Sequence, residues 1–343
     1  MRQVVFPGDG SIQTAELEPP RAVDDWAVIR VAVAPLCTEY KAFYAGDTGD
    51  GSPTPGIGHE SAGEVVDAGP HSIVKPGDRV VMMVSMACGR CAICESGHYM
   101  HCEDWRDYEA ALGTTAGAGT VSQYVARPSF LFMPVPEDVS LEMASLAGCG
   151  LGPSFGALQK LNAGAFDTVL ITGLGPVGLG GVVNARFRGT RVIGVDPAPW
   201  QAQRALEMGA VAVIDPTQGN AVEQVRELTA GHGADYAIEC SGSVAAQRLC
   251  IDATRRLGGM AFVGVSQEEI GLSVSRDLLR TGLTLVGNWH FNRQDYGRLL
   301  QVIRRSDLLD LLVSHRFPMS RLEEAFARQR AGETAKVLID PWN

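Results

Sequence analysis

The residues with the plainest chemistry in this chain are four cysteines. In ACGRCAICESGHYMHC, Cys88, Cys91, Cys94 and Cys102 are separated by two, two and seven residues. Four thiolates on one tight lobe can surround a zinc ion tetrahedrally, and a closed four-sulfur shell leaves no position for a substrate, so such a site is structural. Two disulfides or free thiols are the alternative. His98 and His101 lie inside the lobe, where four sulfurs already suffice, and read as surface residues.

A second constellation is TVLITGLGPVGLGGVVNA followed by TRVIGVDP. An apolar run ends in glycines at GxGxxG spacing, Gly173, Gly175 and Gly178, and Pro176 and Val177 open a helix between the last two. The first glycine permits a tight turn, the second lets backbone approach a pyrophosphate, and the third lets helix and strand pack closely. Free amides at the helix N-terminus then face the phosphate charge. Asp196 ends the next strand, where a carboxylate accepts hydrogen bonds from a ribose and repels a 2′-phosphate, which favours NAD over NADP. Pro197 stiffens the backbone there, and Arg204 nearby could instead accept NADP.

Two kinds of element must position these groups. Up to about Leu151 the chain reads as short strands and turns. WAVIRVAVAPLC is a strand that delivers Cys37, GHESAGEVVDAG puts His59 and Glu60 at the entrance of another, and KPGDRVV is a turn and a strand. Turns are expected from Pro7 to Gly10 and a loop from Gly46 to Gly58. From about Pro153 strands and helices alternate through six strands, the pattern of a doubly wound sheet. The tail, helix, strand or turn, helix and a last strand KVLID, is too small to fold alone and returns to the first unit. The expected architecture is α/β plus β: an all-β catalytic domain over residues 1–152 and 293–343, and a Rossmann dinucleotide domain over 153–292, with the active site in the cleft between them.

The chain has 343 residues, 45 % of them hydrophobic, and a net charge of −10 with no basic cluster, which argues against nucleic acid as a partner. It opens MRQVVF, without a charged and then apolar leader, and no window approaches 18 uninterrupted apolar residues, so neither a membrane partner nor a secreted location is expected; the expectation is cytoplasmic. Eight cysteines, four of them clustered, fit metal ligation better than a disulfide framework.

Cys37, GHE at Gly58 to Glu60, GDRV at Gly77 to Val80, the four-cysteine lobe, Cys149 and the GLGPVG turn occur in the order of the medium-chain zinc-dependent alcohol dehydrogenase family, and the resemblance covers essentially the whole chain. It implies that the all-β domain is GroES-like and that Cys37, His59 and Cys149 hold a catalytic zinc whose fourth position takes a substrate oxygen. It implies that Glu60 is a carboxylate able to move toward the metal, with an ion pair bracing the cleft as the alternative. Val265 and Lys336 are implied at the coenzyme, Lys336 on the pyrophosphate. The implied protein is a homodimer or homotetramer, an NAD-dependent alcohol dehydrogenase for a secondary alcohol, sugar alcohol or cyclitol. An NADPH-dependent carbonyl or aldehyde reductase is the rival within the family, and a non-catalytic zinc- and dinucleotide-binding protein the rival outside it.

The departures from the family fall in CTEYKAFYAG. Glu39 stands where the relay hydroxyl usually lies, Tyr40 replaces the aspartate that orients the zinc histidine, and Ala42 replaces the relay histidine. Glu39 then either accepts the substrate proton or binds a second substrate hydroxyl, or it is a solvated residue at a helix start. Thr38 could lend a hydroxyl. Trp105, Tyr108 and Trp289 to Phe291 read as pocket or core aromatics, and Cys240 and Cys250 as core.

Overall fold

The structure, a computed structural model, describes residues 1–7, 11–45 and 56–343. The expected turn at Pro7 to Gly10 and loop at Gly46 to Gly58 fall largely in stretches 8–10 and 46–55, outside the described residues. The first unit contains β1 (Arg2–Val5), β2 (Gln13–Glu16), β3 (Trp26–Leu36), β4 (Ala62–Ala68), β5 (Arg79–Met82), β6 (Tyr124–Pro128) and β7 (Phe132–Pro134). β8 (Thr168–Thr172), β9 (Arg191–Val195), β10 (Ala212–Ile214), β11 (Ala234–Glu239), β12 (Thr254–Phe262) and β13 (Thr284–Gly287) follow, and β14 (Val313–Pro318) and β15 (Lys336–Asp340) close the chain.

β8 to β13 form one six-stranded sheet in the order β10-β9-β8-β11-β12-β13, every pairing parallel. The order reverses between β8 and β11, so a crevice opens at the ends of these strands, where a doubly wound sheet binds its ligand. Val169, Leu170 and Ile171 are fully buried. Such a run, apolar on both faces, is what a strand needs when helices cover both sides of the sheet.

The other large sheet runs β14-β15-β3-β4-β5-β7, with β6 also on β3. β15 lies parallel to β14 and antiparallel to β3, Val337 opposite Leu36 and Ile339 opposite Ala34. The tail thus joins the sheet that begins the chain, and β15 sits inside it. β3 is hydrogen-bonded to β4, β6 and β15, and of its eleven residues only Arg30 is exposed. Its alternating sequence reflects two covered faces rather than one wet and one dry.

A helix over Gly152–Leu161 joins the two sheets, where the sequence by itself marks only a change of composition at about Pro153. Two glycines and a proline weaken its intrinsic propensity, but Gly152 to Leu158 are all buried, and packing overrides propensity. Proline is tolerated in the first turn, where its missing N–H costs nothing, and Asn162 ends the helix in the left-handed region at φ 55°. Phe155 and Leu158 on this helix belong to one buried apolar cluster with Val81 and Met133 on one side and Val169 and Ile171 on the other. The core is therefore continuous from one sheet to the other, and the groups carried by each are held in fixed relation.

Candidate active site

The cysteine lobe folds as its spacing requires. Cys88 and Cys94 sulfurs lie 3.9 Å apart and those of Cys91 and Cys102 4.0 Å apart, and none of the four is in a disulfide. A tetrahedron with zinc–sulfur bonds of about 2.3 Å has edges of roughly 3.8 Å, so the four sulfurs are already at ligand spacing. Backbone amides aim at them: Arg90 and Cys91 N–H donate to the Cys88 sulfur, Cys88 and Asp104 N–H to the Cys102 sulfur. The Arg90 amide, ahead of the others, holds the Cys88 thiol down at about 6, while burial pushes Cys94 up to about 12. Donor type, number and spacing fit zinc. His98 and His101 are exposed.

A second cluster brings Cys37, His59, Glu60 and Cys149 together, one donor atom from each within 4.8 Å of the others. Cys37 follows β3, His59 and Glu60 precede β4, and Cys149 comes from the turns before the 152–161 helix. His59 Nε2 is 3.1 Å from the Cys149 sulfur and 3.9 Å from Glu60 Oε1. A hydrogen bond from Cys149 holds the Cys37 thiol well below its usual range, and the same bond drives Cys149 up. Two adjacent buried thiolates repel, and a divalent cation is what would let both ionise. Two sulfurs and an imidazole, with the His59 side chain 35 % exposed, make an open zinc-type donor set, unlike the closed lobe.

Each donor is braced from behind. Glu39 begins the helix Glu39–Ala45; its Oε1 lies 2.9 Å from His59 Nδ1 and its Oε2 accepts the Cys37 amide at 2.6 Å. Burial would raise this carboxyl, but the His59 cation and these hydrogen bonds outweigh it and hold it at about 2. Oε1 has no other partner among the described residues. Glu39 is thus mostly buried, with one oxygen on His59 and the other on the Cys37 amide, while Tyr40 packs against the apolar core. Thr38 is exposed.

Glu60 Oε2 accepts the Cys149 amide at 2.7 Å, and Oε1 takes the Lys336 ammonium. Both side chains of this pair are completely buried. Burial raises the Glu60 carboxyl to about 7 even though Lys336 opposes the shift. Lys336, expected on the pyrophosphate, is instead spent on this carboxylate. Gln329, on the helix Leu322–Arg330, donates to the Cys37 carbonyl at 3.2 Å, a link that no local sequence signal announces.

Beyond Cys149 lies His290. Its Nε2 is 3.3 Å from the Cys149 sulfur, and the residue is 4 % exposed with φ 63°. Burial, with the nearby His59 and Lys336 charges, lowers its pKa to about 3, so the ring is neutral. Trp289 and Trp105 stack with centroids 6.4 Å apart at 17°, each about half exposed, while Phe291 is buried core. Tyr108 is not at this edge: it packs on Trp26 and donates to the Ala116 carbonyl at 2.7 Å. Cys250 is buried against Thr172.

At the glycine turn Gly173 has φ 77°, and a Cβ there would meet Ser241 backbone at 2.8 Å; one at Gly178 would lie 1.9 Å from the Gly173 carbonyl. A Cβ at Gly175 would meet nothing within 4 Å, which leaves open space over the backbone where a pyrophosphate would come. The helix Pro176–Phe187 starts there, with Val177 in its first turn and no side-chain cap on its amides. Asp196 accepts the Leu174 amide at 2.7 Å and the Ala198 amide at 2.8 Å, so it also pins the turn. Val265 follows β12, with its side chain mostly exposed and its carbonyl against Gly242. Cradle, helix terminus and carboxylate fit a dinucleotide.

A parallel nucleotide-type sheet fused to a strand-rich unit, with one closed and one open thiolate-rich metal set, defines a metal-dependent oxidoreductase. Residues 23–137 match the alcohol dehydrogenase GroES-like domain and residues 176–305 the zinc-binding dehydrogenase family. L-threonine 3-dehydrogenase of Symbiobacterium thermophilum is 30 % identical over 92 % of this chain and 90 % of its own. Sorbitol dehydrogenase of Bacillus subtilis is 32 % identical over 83 % and 80 %. Among solved structures, alcohol dehydrogenase TADH from Thermus sp. ATN1 superposes with a TM-score of 0.89 at 27 % identity over 99 % of both chains. The chain belongs to the medium-chain zinc-dependent dehydrogenase family. It is a zinc-type alcohol oxidoreductase. Among its described residues no helix is long and apolar enough to cross a membrane.

Proposed function

We propose that this chain is an NAD-dependent alcohol dehydrogenase acting on a secondary alcohol, sugar alcohol or cyclitol, working in the cytoplasm as a homodimer or homotetramer. The observation that carries the reading is the open side of the Cys37, His59 and Cys149 cluster, against which a substrate oxygen can be placed. Zinc bound there supplies Lewis-acid polarisation of that oxygen, and NAD supplies the hydride acceptor. The protein's own part is to hold the donors. Glu39 fixes the His59 tautomer from Nδ1 and leaves Nε2 as the ligand atom. Glu60 holds the Cys149 backbone, and Lys336 balances Glu60 without reaching solvent.

With both Glu39 oxygens engaged, the substrate proton leaves to water at the exposed edge of His59. Asp196 accepts the ribose hydroxyls and disfavours a 2′-phosphate. Curated relatives named for threonine and sorbitol support a substrate that carries further polar groups. The test is zinc per chain, with turnover of polyols and secondary alcohols followed by nicotinamide absorbance with NAD and with NADP. Two zincs, one of them lost in His59→Ala, together with NAD-linked turnover support the reading. A single zinc that His59→Ala leaves in place overturns it.

A further inference from the structure

His290 is the one buried imidazole beside the metal donors that the reading above leaves without a task. It is carried from the coenzyme sheet, just past β13, and its backbone is clamped there. Asn288 Nδ2 donates to the Pro153 carbonyl at 2.7 Å and to the His290 carbonyl at 2.8 Å. A Cβ at Gly156 would come within 2.2 Å of the His290 carbonyl, so this close approach exists only because residue 156 is glycine. His290 has φ 63°, in the left-handed region that histidine enters more readily than most residues with a Cβ. The clamp on its carbonyl fixes where the side chain is aimed.

The aim is at Cys149: Nε2 lies 3.3 Å from its sulfur. A metal-binding thiolate only accepts, so Nε2 must carry the ring proton. In a neutral imidazole the other nitrogen is then an acceptor. Nδ1 is not among the buried side-chain atoms left without a partner, and no protein group is bonded to it among the described residues, so this nitrogen reaches solvent although the residue as a whole is 4 % exposed. The neighbouring Trp289, half exposed and stacked on Trp105, marks this stretch as bordering open space. An acceptor fixed next to a metal ligand at the edge of the open space can take an O–H brought in by the substrate, an interaction that an alcohol with no second hydroxyl does not offer.

We propose that His290 is a specificity-determining residue that donates Nε2–H to Cys149 and accepts, at Nδ1, a second hydroxyl adjacent to the reacting carbinol, so that the substrate class is a vicinal diol or polyol. This rests on the alcohol dehydrogenase reading and sharpens it. A site built to bond a hydroxyl discriminates against the analogue lacking it far more than an apolar pocket does. The same Nε2–H bond draws electron density from the thiolate, which tunes the metal it holds.

The experiment compares 2,3-butanediol with 2-butanol in the full-length enzyme, wild type, H290N, H290F and H290G. Asparagine offers a donor and an acceptor and tolerates positive φ; phenylalanine removes both; glycine removes both without backbone strain should H290F misfold. The expected result is that diol-over-monool selectivity in kcat/KM falls about ten- to a hundredfold in H290F and H290G, mainly through KM, and stays within about threefold in H290N. With cobalt in place of the catalytic zinc, the sulfur-to-metal charge-transfer band should move to lower energy in H290F and H290G and not in H290N. Unchanged selectivity, or an unmoved band, overturns the proposal. If the wild type oxidises neither alcohol, nor any polyol or cyclitol with NAD, the alcohol dehydrogenase reading falls. His290 is then judged by cobalt spectral titration with the two alcohols: diol preference lost in H290F and H290G sustains its role, and equal affinities end it.

Discussion

Replacing Glu39 with glutamine exchanges one carboxylate oxygen for an amide NH2 at nearly constant size. Both oxygens face donors in the wild type, His59 Nδ1 at 2.9 Å and the Cys37 amide at 2.6 Å. Whichever way the new amide turns, its NH2 opposes one of them. The mutant therefore loses one charge-assisted bond, worth about 1.5–3 kcal/mol, and weakens the other. Because the two partners are the proposed ligand His59 and the backbone of the proposed ligand Cys37, the loss falls on the metal. Zinc affinity at this site should drop about 10- to 100-fold, the range seen when the group behind a ligand is removed. Competition with a graded series of chelators measures it, and the zinc of the four-cysteine lobe, which Glu39 does not touch, serves as the internal standard. Turnover at saturating zinc should recover much of its wild-type value. Zinc affinity within about twofold of wild type, combined with a turnover loss of 100-fold or more, would refute the orienting role and make Glu39 a proton acceptor after all.

Three further outcomes follow from the same contacts. Asp196→Ala should lower kcat/KM for NAD by about 10- to 100-fold and raise the relative use of NADP, since charged acceptors of this kind are worth about 1.5–3 kcal/mol; parallel kinetics with the two coenzymes check it. Lys336→Met leaves the Glu60 carboxylate buried without its partner and should cost about 3–5 kcal/mol in denaturant unfolding, while Glu60→Gln with Lys336→Met should cost clearly less than the two single changes summed. Cys94→Ser should release the lobe's zinc alone, one metal per chain by elemental analysis, and open the segment around residues 88–112 to limited proteolysis, because the metal supplies much of that segment's folding energy.

What the sequence made legible was what neighbouring residues decide between themselves. The cysteine lobe, the glycine turn and Asp196 each place their chemistry within about two dozen residues, where spacing nearly dictates geometry. The return of the tail to the first sheet was legible too, because a few short helices and one or two strands cannot bury a core of their own. The braces were not legible. Glu60 and Lys336 are 276 positions apart, Cys149 and His290 141, and Cys37 and Gln329 292; no local pattern encodes such a meeting. Position-by-position comparison shows Tyr40 in place of a carboxylate but not which group stands behind His59. In the structure a carboxylate one residue earlier, Glu39, lies 2.9 Å from His59 Nδ1. The helix over Gly152–Leu161 went unassigned because its glycines and proline look like loop punctuation until the packing around them is known.

The placement of β15 between β14 and β3 sets an order of events during synthesis. About 200 residues, including the entire six-stranded sheet, leave the ribosome between the end of β7 and the start of β15, which takes roughly 10–40 s at common elongation rates. Throughout that interval the end of β3, Ala34–Leu36, lacks the partner that β15 will supply, and Glu60 lacks the cation that will neutralise it. The nascent chain can fold its nucleotide half while its metal half waits, and zinc taken up early would meet His59 and Cys149 before Glu60 has its counter-charge. Lys336, delivered last, closes the sheet and settles that charge in a single step.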